Sequence, residues 1–401
     1  MSSSVFVVVT VPLVAAFVGW LTNWQALVMI FQPLKFRGVG PIGWQGILPR
    51  KALKFADDVG RMLTERLLSP RDLALRLDPA EMEQLLARTL DAETRTLTRE
   101  AAELIRPGAW DQLPEPLRES IVSQVRAQTS LAARELFDKL QGISDELLDV
   151  RALVTRELTG DNTSRLVMMF KRIGNRELKF IEHSGGVFGF VIGLAQAAAW
   201  GLFGIWWTMP LVGVVVGLAT NWLALQMVFR PQQPTRYLGV VTYQGVFARR
   251  QAEIARDYGK IAAEQILTPR NLIRLVTEGA GGERLARLIS ETVAARLDTE
   301  WKKVEPLVPV RVEPEVLARI KQLAAQRIVA RIPDVTPELE SYIERKLDVA
   351  RTIEGKLAAL PKAEFERVLR GLFEEDELIL IIIGGVLGGA VGLVQGLLAM
   401  S

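Results

Sequence analysis

The chain has 401 residues, 49% of them apolar and 24% charged, with a formal net charge of +3 and a mean hydropathy of +0.20. Residues 1–34, 184–229 and 378–401, 104 in all, contain no Asp, Glu, Lys or Arg. That segregation excludes a single soluble domain and a many-helix carrier with short loops, and indicates spanning segments around two charge-rich parts. The absence of cysteine excludes disulfides and thiol chemistry, and a single histidine, His183, leaves little metal or nucleophile chemistry.

In chain order, Val5 to Phe31 is apolar except for Thr10, Gly19, Thr22, Asn23 and Gln25. At 1.5 Å per residue it crosses a ~30 Å hydrocarbon core with some tilt. The leader Met1-Ser-Ser-Ser lacks a basic side chain and the run exceeds a usual signal-peptide core, so a retained span is expected. The following stretch, Phe36–Lys51, is short, glycine-containing and aromatic, and reads as a small hairpin or interfacial loop. Asp78-Pro79 supplies an N-cap and a first-turn proline for a helix running to about Arg106, before Pro107-Gly108. Pro116 opens another, with Leu117, Ile121, Val122, Val125, Ala132, Leu136 and Leu140 at helical steps. The second uncharged stretch is too long for one helix, and Pro210 divides it into Gly185–Trp207 and Pro210–Phe229 around the Trp206-Trp207 turn. Thr235–Arg250 resembles Phe36–Lys51 in composition. Val316, Leu317, Ile320, Leu323, Ile328 and Ile332 form a second apolar stripe, and Leu378–Met400 gives a last span. Such stripes are buried in soluble helical bundles, or left partly open as a groove for an acyl chain or a partner helix.

Basic residues flank the spans on one side only. Lys35, Arg37, Arg50, Lys51 and Lys54 follow the first, and Lys171, Arg172, Arg176 and Lys179 precede the second. Arg230, Arg236, Arg249 and Arg250 follow the third, and Arg367 and Arg370 precede the fourth. The positive-inside rule then places both charged parts in the cytoplasm and both termini outside an inner membrane. The expected organisation is span 1–34, cytoplasmic part 35–183, spans 184–207 and 208–229, cytoplasmic part 230–377 and span 378–401.

Self-comparison shows one pattern twice. Pro12-Leu-Val, Val18-Gly19, Thr22-Asn23-Trp24, Ala26-Leu27, Met29, Phe31 and Pro33 recur 198 residues later, from Pro210 to Pro231, with thirteen of 22 positions identical. At spacing 199, Gln45-Gly46 meets Gln244-Gly245, Gly60 meets Gly259, Pro70-Arg71 meets Pro269-Arg270, and Leu148-Asp149-Val150 meets Leu347-Asp348-Val349. The match returns at Gly185-Gly186-Val187, Gly189, Gly193-Leu194 and Gln196, against Gly384-Gly385-Val386, Gly388, Gly392-Leu393 and Gln395. The expected fold class is an all-α membrane protein: four transmembrane helices plus two cytoplasmic helical regions, from an internal tandem duplication. The hairpin should pair span two with span three, and symmetry should pair span four with span one.

The repeated Asn-x-x-Ala-Leu-x-Met-[Ile/Val]-Phe-x-Pro, the Gln-Gly-[Ile/Val]-x-x-Arg-[Lys/Arg] and the Leu-[Ser/Thr]-Pro-Arg that follow it closely resemble the bacterial membrane family called domain of unknown function 445. The resemblance covers nearly the whole chain and implies hydrophobic ends around a long helical region. The family's Gly-Leu-Ile-Pro-Lys stretch corresponds to Gly46-Ile-Leu-Pro49-Arg50, while the second copy departs from it as Gly245-Val-Phe-Ala248-Arg249. The resemblance carries no activity with it.

Three groups of candidate residues follow. Asn23, Gln196, Asn221 and Gln395, with Thr22 and Thr220, are expected as a polar layer near the bilayer midplane, either as interhelical hydrogen bonds or as a solute path. Arg50, Lys51, Arg249 and Arg250 are candidates for lipid phosphates, or simply topology-setting charges. Gly185, Gly189 and Gly193, like Gly384, Gly388 and Gly392, repeat every four residues and should form smooth helix-packing faces. No catalytic constellation, cofactor fingerprint or metal set stands out. The expected function is a non-enzymatic binding or scaffold protein of the cell envelope whose cytoplasmic helices bind lipid or a protein partner. The alternative is a small-solute or lipid transporter or channel. Membrane lipids, a protein partner or a second copy are the expected partners, and nucleic acid is not.

Overall fold

Proline and short polar caps divide the chain into helices, in a computed structural model that describes residues 2–39, 42–203, 207–237, 239, 241–305, 312–365 and 377–400. Helix α1 (Ser2–Phe31) leads to a hairpin of β1 (Arg37–Val39) and β2 (Ile42–Trp44). There follow α2 (Ile47–Arg50), α3 (Ala52–Met62), a π-helical turn at Leu63–Leu67, α4 (Pro70–Leu75), α5 (Pro79–Ile105) and α6 (Ala109–Gln112). Next come α7 (Glu115–Gly142), α8 (Ser144–Leu147), α9 (Val150–Leu158), α10 (Thr163–Ile173), α11 (Asn175–Phe203) and α12 (Thr208–Phe229). A second hairpin, β3 (Thr235–Tyr237) with β4 (Val241–Tyr243), precedes α13 (Val246–Arg249), α14 (Gln251–Ile261) and a π-helical turn at Ala262–Ile266. The chain continues through α15 (Pro269–Thr277), α16 (Gly279–Val304), α17 (Pro314–Leu347), α18 (Val349–Ala358) and a C-terminal helix, Glu377–Met400.

Local chemistry accounts for several repeated motifs. The Asp72 N–H donates to Ser69 Oγ at 3.0 Å and the Asn271 N–H to Thr268 Oγ1 at 3.1 Å, each cap preceding a first-turn proline. Asp78 caps α5 in the same manner, accepting from the Ala80 N–H at 2.9 Å. The two Leu-Asp-Val triplets recur because each aspartate begins a helix: Asp149 Oδ1 accepts from the Ala152 N–H, and Asp348 Oδ1 from the Arg351 N–H. The two Gln-Gly pairs close the hairpins at their bases. The Gly46 N–H donates to the Pro33 carbonyl and the Gly245 N–H to the Pro231 carbonyl, both at 2.9 Å. Gln45 Nε2 and Gln244 Nε2 donate to the carbonyls of Leu34 and Gln232, also at 2.9 Å.

The chain forms two compact units. Unit 1 comprises Met1–Val59, Val154–Ile261 and Ile353–Ser401; unit 2 comprises Gly60–Leu153 and Ala262–Thr352. In unit 1, Val9–Phe31, Asn175–Ala198 and Thr208–Val228 are long and apolar enough to cross a membrane, and Leu378–Val394 is a shorter apolar stretch of the C-terminal helix. The most extensive packing joins α1 to α11 and α12 to the C-terminal helix. The expected pairs, α11 with α12 and α1 with the C-terminal helix, also pack, but less extensively. The reason is the glycine faces, which let backbones approach closely. Helix α11 also starts at Asn175 rather than at residue 184, because its charged first turns continue the same helix. Trp206, Arg367 and Arg370 lie outside the described residues.

Unit 2 corrects the expectation of separate helical regions for residues 35–183 and 230–377. It is built from both: α5 packs on α7 and α16 on α17, while α17 also packs on α5 and α16 on α7. Two long amphipathic helices cannot enclose their own apolar stripes, whereas four can. Leu285, Ile289, Val293 and Ala325 form a buried cluster there, flanked by Leu136, Leu140, Ile328 and Ile332.

Candidate functional site

In unit 1 the glycines stand where helices nearly touch. A Cβ on Gly193 would lie 2.7 Å from Ala15 Cβ and from Pro12 Cα, and one on Gly392 would lie 2.8 Å from Pro210 Cα. Gly185 faces Gly19 and Asn23, Gly189 faces Ala15, Gly384 faces Gly217 and Asn221, and Gly388 faces Gly213.

These contacts fix the register of each antiparallel pair and displace the polar residues from the expected layer. Asn23 Nδ2 donates to the Ile181 carbonyl at 2.5 Å, and Asn221 Nδ2 to the Leu380 carbonyl at 2.7 Å. Both asparagines therefore sit at the level where α11 and the C-terminal helix acquire their first charges, and Trp20 Nε1 donates to Glu182 at 3.0 Å there. Gln196 is fifteen residues further along α11 than Ile181, about 22 Å away at the helical rise. Antiparallel packing thus separates Gln196, near the middle of its own apolar run, from Asn23. Thr22 and Thr220 are buried and return their hydroxyls to the Gly19 and Gly217 carbonyls. Asn23 Oδ1 and Asn221 Oδ1 are buried without a hydrogen-bond partner among the described residues. The side chain of Gln395 lies outside the described residues. His183, exposed, has Nδ1 2.6 Å from the Lys179 carbonyl.

The four basic candidates divide. Arg50 and Arg249 are exposed, and Lys51 is half-buried. Arg250 serves the fold instead: its side chain is 11% exposed and pairs with the Glu177 carboxylate, 1% exposed, at 2.5 Å. Its Nε also donates to Glu253 at 2.8 Å. Burial works against the guanidinium charge, yet the hydrogen bonds to Glu253 and Glu177 hold its pKa above the ordinary arginine value. The same bond from Arg250 holds the Glu253 carboxyl below the usual range.

Unit 2 holds a cavity of about 270 Å³. Its wall is aliphatic and comes from both halves of the chain: Leu73, Ala74, Leu136 and Leu140 from one, Ile273, Val276, Leu285, Ile289 and Ile328 from the other. The polar side chains on the wall are mostly turned to backbone. Gln141 Nε2 donates to the Ala74 and Leu77 carbonyls, Ser144 Oγ to the Gln141 carbonyl, and Thr277 Oγ1 to the Ile273 carbonyl. The lining charges, Arg331 and Glu93, pair with each other at 2.6 Å. What the wall presents is therefore hydrocarbon. The stripes read from sequence contain Leu136, Leu140, Ile328 and Ile332, which line this space, but also Leu117, Ile121 and Val125, which are exposed. Periodicity alone does not distinguish these two fates.

Residues 13–133 match the family model described as protein of unknown function, DUF445. Among curated proteins, a UPF0754 membrane protein of Synechococcus is 28% identical over 144 residues, covering 35% of this chain and 34% of its own length. One from Bacillus licheniformis is 30% identical over 145 residues, covering 35% and 37%. The UPF0754 membrane protein YheB of Bacillus subtilis is 28% identical over 187 residues, covering 44% and 48%. The chain thus spans about a third to a half of the length of these relatives. No solved structure matches it. These matches bear out the resemblance carried by the repeated motifs: residues 13–133 are similar to the DUF445 family, and the similar curated proteins are named membrane proteins.

Proposed function

We propose that this is a non-enzymatic integral membrane protein of the cell envelope whose helical unit 2 binds the acyl chain of a membrane lipid. The cavity carries this reading. At about 270 Å³ it lies just under the ~300–1,000 Å³ usual for small-molecule sites. A partner helix, ~10 Å across, is too wide for it. Its aliphatic wall offers a hydrocarbon chain dispersion contacts and exclusion from water, and few polar groups free to orient a polar metabolite.

In the same reading the protein has four spans and arose by tandem duplication. The C-terminal helix has 24 residues and rises about 36 Å, enough for a ~30 Å core. Recurrence of hairpin, π-helical turn and capped helices at the spacing of the repeated motifs supports the duplication. The one-sided basic flanks support a cytoplasmic location for the charged parts and external termini. A transport path through the spans is disfavoured by the separation of Asn23 from Gln196. A second reading, docking of a protein partner or a second copy, draws on Leu117, Ile121 and Val125, exposed on one face of α7.

Native mass spectrometry of the purified protein tests the lipid reading. The parent chain should retain a tightly held lipid that is lost in Ala74→Phe or Val276→Phe, whose rings fill the cavity, at unchanged thermal stability. Equal lipid retention by parent and filled variants would refute it. Dimers abolished by Leu117→Glu would support the second reading.

A further inference from the structure

We propose that the hairpin β1–β2 inserts Val39 and Ile42 into the lipid leaflet at which α1 ends, as an interfacial anchor beside the span. The strand register sets its chemistry. Val39 pairs with Ile42 and Arg37 with Trp44, so these four side chains share one face, while Gly38 and Gly43 occupy the other. Val39 and Ile42 are 86% and 82% exposed, among the highest values for large apolar side chains in the chain. Behind this aliphatic pair come the exposed Arg37 guanidinium, suited to lipid phosphate, and the half-buried Trp44 ring, whose N–H is enclosed. Lys35, its side chain 88% exposed, adds a second cation at the base.

Position selects the bilayer as the occupant. The hairpin base is bonded to Pro33, two residues beyond the last residue of α1, so Val39 and Ile42 are held next to the membrane surface. The apolar pair continues an interface that α1 already makes with lipid, and the hairpin's cations complement anionic headgroups. The second hairpin repeats the arrangement with different side chains: Tyr237 stands at the position equivalent to Val39 and is 49% exposed, with Arg236 beside it. The anchor is independent of the acyl-chain cavity in unit 2, and either can fail alone.

The chain lacks cysteine, so Val39→Cys and Ile42→Cys each accept a single spin label in the 401-residue chain. In nanodiscs of phosphatidylcholine with phosphatidylglycerol, both labels should collide severalfold more with membrane-dissolved oxygen than with an aqueous nickel chelate. A label at Leu131→Cys, on exposed α7, should show the reverse. The labels should also sit deeper with phosphatidylglycerol present than in phosphatidylcholine alone, and Arg37→Glu should abolish that difference. Labels at 39 and 42 as accessible to nickel as the label at 131 would overturn the proposal. Dipolar broadening between labels on two chains would also overturn it, in favour of a self-contact.

Discussion

Replacing Arg250 by methionine should be one of the most damaging single changes in unit 1 outside the spans. The Arg250→Met variant leaves the Glu177 carboxylate, 1% exposed and 2.5 Å from the guanidinium, buried without its counter-charge. Breaking a buried pair from one side costs about 3–5 kcal/mol, because the surviving charge has lost both water and partner. For a unit of this size each kcal/mol lowers Tm by about 2–4 °C, so a fall of roughly 10 °C is expected. Glu253, with 53% of its side chain exposed, turns to water and adds little. The double variant Arg250→Met with Glu177→Leu removes both charges and should recover most of the loss. Arg256→Met is the control, since Arg256 is 70% exposed in its pair with Glu354. Thermal unfolding of nanodisc-embedded protein, followed by circular dichroism, measures all four chains. If Arg250→Met melts with Arg256→Met, or the double variant melts with the single one, the ion pair is not what holds α11 to the α13–α14 junction.

Other outcomes follow from the same packing. Gly185→Val should lower stability by about 1–3 kcal/mol by overpacking, since even a Cβ would meet Asn23 Nδ2 at 2.5 Å. Gly355→Ala, in a helix interior with nothing within 4 Å, should raise it by up to about 1 kcal/mol; the two variants melting alike would refute the close approach of α1 and α11. Tyr258→Phe should leave stability equal or higher, because the buried Tyr258 hydroxyl has no partner among the described residues. Burial raises the Tyr258 pKa well above its ordinary 10.0, so the parent chain is unaffected below pH 10 and loses stability as pH rises beyond it. Alkaline unfolding should therefore be milder in Tyr258→Phe, and identical profiles would count against the burial. On the acid side, the hydrogen bond from Arg134 holds Glu83 below its ordinary 4.5. That contribution, present above 4.5, is lost as pH falls through the lowered value, and Arg134→Gln should flatten this part of a stability–pH curve.

Much of the local structure was legible in the residues themselves. A proline after an aspartate, serine or threonine starts a helix by steric and hydrogen-bonding rules that act within four residues, so α4, α5 and α15 begin at such pairs. Runs without charge report the cost of placing charge in hydrocarbon, which is a property of composition, and they located the three long apolar helices. Glycine spacing marked the helix faces on which backbones meet, because a missing Cβ is a feature of the residue alone. Tertiary structure decided what local rules cannot reach. The antiparallel register of α1 against α11 placed Asn23 beside Ile181 and far from Gln196, since the depth of a side chain depends on which turn of one helix meets which turn of the other. The identity of the buried partner did the same for Arg250, one of two adjacent arginines of equal charge: among the described residues Arg250 meets the buried Glu177 carboxylate, whereas Arg249 is exposed. Above all, the sharing of unit 2 between the halves arose from enclosure. An apolar stripe specifies that it must be covered but not by which helix, and here α5 with α7 and α16 with α17 cover one another while leaving an aliphatic space between them.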